Sequence, residues 1–188
     1  MRRLSVALLL LLVTPCAATA QEYVVKAFAK VCVHGLHRQP AGGPFAVFLF
    51  CDDALGSNIG VINTVPGAGP GRIVLPHPKT WDKWDVTRRF WQETEWAADV
   101  TSFAWSPDLK SLYVGTMEIY GDGALYRLDL VTRTVTRLIP NATAPRSTGK
   151  GYHSAEITGI NRQTGEVSVD FSFTDESDKT TVTKVVIK

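Results

Sequence analysis

The stretch at residues 100–140 begins Val100-Thr101-Ser102-Phe103-Ala104-Trp105-Ser106-Pro107-Asp108. After Leu109-Lys110 it continues Ser111-Leu112-Tyr113-Val114-Gly115-Thr116. The turn residues Tyr120-Gly121-Asp122-Gly123 follow. Then come Ala124-Leu125-Tyr126-Arg127-Leu128-Asp129-Leu130 and Thr134-Val135-Thr136-Arg137-Leu138-Ile139. Each run is short, rich in β-branched, aromatic and leucine side chains, and bounded by Pro, Gly, Asp or Ser. Together the four runs predict one four-stranded antiparallel sheet, with Ser106-Pro107-Asp108 in its first turn.

Similar hairpins flank this stretch. Ala46-Val47-Phe48-Leu49-Phe50-Cys51 and Ile59-Gly60-Val61-Ile62-Asn63-Thr64-Val65 enclose a polar tip at residues 52–58. Val167-Ser168-Val169-Asp170-Phe171-Ser172-Phe173 and residues 180–187 enclose a tip at 174–179. A strand is expected before each hairpin, at 23–33, 100–105 and 152–160. The turn Asn161-Arg162-Gln163-Thr164-Gly165 falls where Ser106-Pro107-Asp108-Leu109-Lys110 falls in the middle. The self-similarity predicts three units, about 23–75, 97–140 and 150–188. The last has only three strands, and residues 23–28 are an alternative fourth. The Pro- and Gly-rich segment 66–79 is expected to be a connector around a short run, Ile73-Val74-Leu75.

With Trp105-Ser106-Pro107-Asp108 in its first turn, the middle unit resembles one blade of the TolB-type (Pro-Asp repeat) β-propeller family. The resemblance is good over residues 99–138 and looser elsewhere, and Leu109 stands where glycine is usual. It implies an all-β fold of antiparallel, blade-like four-stranded sheets. The expected architecture is a partial or small β-propeller of about three units, forming a single domain over residues 21–188. It also implies a periplasmic scaffold that binds other proteins at a propeller face or channel and needs no cofactor. Propellers normally need at least four blades, and three leave edges and apolar faces open. Two copies closing a six-bladed ring, an open segment awaiting a partner, and a plain β-sandwich are the three outcomes to distinguish.

The N-terminus reads as a secretory signal peptide. Arg2 and Arg3 precede an apolar run at 6–13, and Ala18-Thr19-Ala20 fits the small-x-small cleavage rule. Cleavage after Ala20 and a periplasmic or secreted location are therefore expected. The apolar run is too short for a stable anchor, and no later segment is long and apolar enough for a span. Removing 20 of 188 residues leaves 168, with 18 basic residues facing 18 acidic ones. A neutral chain has no basic footprint for nucleic acid or anionic lipid. Cys32 and Cys51 remain, each in an apolar β-like run. In an oxidising compartment a disulfide between neighbouring strands is expected, two separate buried thiols being the alternative.

Four of the five tryptophans fall at 81–96, in Thr80-Trp81-Asp82-Lys83-Trp84-Asp85-Val86-Thr87-Arg88-Arg89-Phe90-Trp91 and at Trp96. The segment fits either a short amphipathic helix or an outer strand. Exposed tryptophans anchor partner proteins or stack on sugars, whereas buried ones fill a core. The expected binding residues are Trp81, Trp84, Arg88, Arg89, Trp91 and Tyr120. The alternative is a carbohydrate-binding or carbohydrate-active protein, with Asp82, Asp85, Glu93 and Glu95 near the cluster. His34 and His37 flank Gly35 in an expected loop, and neither they nor His77 and His153 make a metal set. The acidic tips read as solvated turns rather than calcium loops. No Gly-x-Ser-x-Gly elbow, Ser-x-x-Lys motif or phosphate loop occurs. The sequence thus favours a non-enzymatic protein-binding module with a protein partner or a second copy bound, and no cofactor, metal or nucleic acid.

Overall fold

The structure is a computed structural model and describes residues 32–52, 56–66, 73–75, 99–119, 123–132, 134–138, 152–175 and 177–188. The first sheet is an antiparallel meander of β1 (Cys32–Arg38), β2 (Phe45–Asp52), β3 (Gly56–Asn63) and β4 (Ile73–Leu75). Four strands form the next meander: β5 (Asp99–Trp105), β6 (Ser111–Ile119), β7 (Leu125–Asp129) and β8 (Thr134–Arg137). The last three are β9 (Tyr152–Ile160), β10 (Val167–Thr174) and β11 (Thr180–Ile187). The fold is all-β and antiparallel. Among the described residues no helix is long and apolar enough to cross a membrane.

The middle meander is apolar on both faces because both are covered. Leu112, Val114, Tyr126 and Leu128 pack with Val47, Ile59 and Val61 of the first sheet. Tyr113 and Leu125 pack the other way, with Ala155, Val167, Val169 and Phe171. Alternation along β6 and β7 sends successive side chains into different cores. Full burial stabilises each large apolar side chain by about 1.5–3 kcal/mol. The first sheet has a third core on its far face, where Ala46, Phe48, Phe50 and Ile62 meet Val33 and Leu36.

The last hairpin is not a separate sheet. β7 covers β6 only from Ser111 to Gly115, and β9 pairs with the remaining edge at Met117, Glu118 and Ile119. β9 then crosses Gly115, where a Cβ would collide with the Ala155 carbonyl. Side chains at a bulge in β5 fix the crossing: Thr101 Oγ1 donates to Ala155 O (2.5 Å), and Ile157 N donates to Ser102 Oγ (2.8 Å). The result is a seven-stranded sheet, β5 to β11.

Two local expectations need correction. Residues 34–37 are strand rather than loop, and β1 runs to Arg38, past the expected end at 33. Gly35, at φ +58, sits in an irregularity of the β1–β2 pairing; it breaks the alternation yet lets the strand continue. His37 lies in that strand, its ring edge-on to Phe103 with the centroids 5.1 Å apart. Ser57 and Asn58 belong to β3 rather than a tip, because the pairing continues to Asp52 opposite Gly56. Residues 23–31, the expected start of the first strand, lie outside the described residues.

Candidate binding cleft at the turn rim

The β1–β2, β5–β6 and β9–β10 turns gather on one rim. In the first, Gln39 N donates to Phe45 O (2.9 Å) and Phe45 N to Gln39 Oε1 (3.3 Å). Pro40–Gly42 makes a single 3-10 turn beside them. Gln39 is buried, and its Nε2 donates to Leu109 O at 2.7 Å, 70 residues along the chain. A buried amide with partners on both ends ties the first turn to the second at low cost, whereas an unpaired one would be expensive.

The second turn is built around Ser106, also buried. Its hydroxyl lies 2.6 Å from Asp108 Oδ1 and 3.0 Å from Ser111 O, and accepts from Ser111 N at 2.9 Å. Ser106 N donates to Ser111 O and Leu109 N to Ser106 O, each at 2.9 Å. Pro107 presets φ for the turn. The Ser106 hydroxyl, with the Lys110 backbone N–H, holds the Asp108 carboxyl below its ordinary range. Leu109 then adopts φ +59, a left-handed conformation that a side chain disfavours. In the third turn Asn161 Oδ1 accepts from Gln163 N (2.9 Å) and Thr164 N (3.2 Å). Gly165 carries the positive φ there, at +77, without that penalty.

Between these turns is an open cleft of about 520 Å³. The first turn contributes Pro40 and Ala41, and the second contributes Pro107 and Leu109, with Trp105 of β5 beside them. The third side is Ile157, Ile160 and Arg162. Arg162 is exposed and, among the described residues, is the one charged side chain on the wall. The volume falls within the usual range for ligand sites. A mixed lining, apolar at Trp105, Leu109, Ile157 and Ile160 and polar at Ser106 and Thr158, with one guanidinium beside it, suits a segment that presents an apolar group next to an anion, since Arg pairs bidentately with carboxylate. Chemically the cleft can bind; among the described residues its wall holds no carboxylate, cysteine or histidine.

Trp81, Trp84, Arg88, Arg89, Trp91 and Tyr120 all lie outside the described residues, so the aromatic cluster and the carbohydrate alternative have no structural counterpart here. Cys32 and Cys51 are described, and they stand opposite each other in the β1–β2 register. Among the described residues no group of three or more His, Cys, Asp or Glu could hold a metal. The cleft residues were not anticipated. The correspondence between Asn161-to-Gly165 and Ser106-to-Lys110 was a signal for two of its walls, but nothing in the sequence marked Gln39 and Pro40 as the third. Comparison with known proteins finds no matching family model, no matching curated protein and no matching solved structure.

Proposed function

We propose that this chain is an exported, non-enzymatic protein-binding module. Its second and third β units share one sheet with the first unit packed against it, and its turn-rim cleft takes an extended apolar segment of a partner protein that carries a carboxylate. Backbone strain carries the proposal. Three non-glycine residues among those described have left-handed φ: Ala41, Leu109 and Asp178. The first two line the cleft. Strained conformations cost on the order of 1–3 kcal/mol each and cluster at ligand clamps and binding sites. The guanidinium of Arg162 supplies complementarity for the anion. The middle unit is packed on both faces, against the first sheet on one side and residues of β9 and β10 on the other, which gives the cleft a rigid support. The leader sequence at 1–20 supports export.

The test is selection of a displayed peptide library on the full-length chain. Enriched peptides should combine aromatic or aliphatic residues with Asp, Glu or a free C-terminus. Arg162→Glu should weaken the best of them by about tenfold or more, the worth of one charge-assisted hydrogen bond. Enrichment without acidic groups, or affinity indifferent to Arg162→Glu, contradicts the proposal. Enriched peptides matching this chain's own sequence would identify the partner as a second copy.

A further inference from the structure

We infer that Cys32 and Cys51 form a cross-strand disulfide that closes the β1–β2 hairpin at the end opposite the cleft. The inference is independent of what the cleft binds. It rests on register: Cys32 pairs with Cys51 as the outermost rung of the β1–β2 ladder. Directly opposed residues of antiparallel strands have Cα atoms about 4.5 or 5.5 Å apart, depending on the rung type. Disulfides bridge Cα separations of about 4.4–6.8 Å, so either rung type permits the bond. A slip of one residue would put the two cysteines on opposite faces of the sheet. The ladder's irregularity lies between His34 and Leu36, and leaves the Cys32 rung paired.

The position also needs a staple. Among the described residues β1 is an edge strand, paired with β2. It is interrupted at Gly35, and Gly35, His37 and Arg38 are exposed. Such a strand frays from its free end. The covalent ring formed by the bond runs from Cys32 through the turn to Cys51, and that turn carries Pro40 and Ala41 into the cleft. The disulfide therefore holds the strand that supports one cleft wall.

Formation is thiol–disulfide exchange. One thiolate attacks a donor disulfide, either oxidised glutathione or a protein disulfide oxidant, and expels one donor thiolate. The second cysteine thiolate attacks the resulting mixed disulfide and expels the other. The donor takes two electrons, and its two expelled thiolates take up the two protons that the cysteine thiols lose, leaving one protein disulfide and two donor thiols.

The experiment uses the full-length Cys16→Ser chain, which removes the one other cysteine. The folded protein is equilibrated with reduced and oxidised glutathione, alkylated after denaturation, digested and mapped by mass spectrometry. The expected product is a linked Cys32–Cys51 peptide within one chain, lighter by two hydrogens than the reduced pair. On reduction, amide exchange at residues 32–38 should speed up by about tenfold or more, with β9 and β10 unchanged. Two alkylated cysteines, separate glutathione adducts, or a link between chains would overturn the assignment. A linked peptide with unchanged exchange would overturn the supporting role.

Discussion

The second and third turns wall the same cleft and solve the same backbone problem with different residues. Each follows the first strand of its unit and each needs one residue at positive φ. The third uses Gly165 at +77, where the conformation is free; the second uses Leu109 at +59, where it is not. The second holds its strained residue by surrounding it with hydrogen bonds. Ser106 makes a ring of contacts with Asp108 and Ser111, and Gln39 reaches in from the first turn to the Leu109 carbonyl. The third relies on Asn161 alone for side-chain bonds to the turn's amides at Gln163 and Thr164. The difference is that the second turn keeps, at a strained position, a side chain that lines the cleft, and the proposed binding role gives that side chain a use.

Ser106→Ala should break that comparison most strongly. It removes a buried hydroxyl and leaves the Ser111 amide without its side-chain acceptor, so a loss of about 2 kcal/mol is expected in urea unfolding. An Asp108 carboxyl titration followed by NMR should move up toward its ordinary value in the same variant, because the hydroxyl is the chief cause of its depression. A loss under about 0.5 kcal/mol, the range of an unremarkable surface change, would mean that the Ser106 ring does not hold the turn. Gly165→Leu comes next. It gives the third turn the second turn's problem without the second turn's bonds, and should destabilise by about 1–2 kcal/mol. An unchanged midpoint would show that the third turn relaxes out of positive φ.

The middle unit was the most legible part of the molecule in sequence. Its alternating runs sit between strong turn residues, so β5 to β8 appear where the pattern places them. The hairpins at 45–65 and 166–187 were legible for the same reason. The end of β1 was misplaced because Gly35 interrupts its alternation, and a single sequence cannot distinguish a bulge from a loop. The joining of β9 to β6 was hidden as well, since it depends on β7 ending before β6 does and on the bare backbone at Gly115. The cleft was least legible. Pro40, Leu109 and Arg162 have no shared motif, and only the stacking of three turns brings them to one wall. The aromatic cluster drew attention at 81–96 because tryptophan is a strong compositional signal, whereas Trp105 sits alone inside a strand pattern.

Leu109→Gly tests the central claim most directly, with stability and binding measured on the same protein. Glycine relieves the left-handed strain but loses the side chain and adds unfolded-state freedom, so the net change in stability should be small. The account predicts a change within about 1 kcal/mol in either direction. It also predicts that affinity for a peptide selected on the unmodified chain falls by about fivefold or more, the scale of a buried leucine contact. Unchanged or improved affinity in a folded Leu109→Gly protein would contradict it, and would mean that the strained leucine serves the turn and not the cleft.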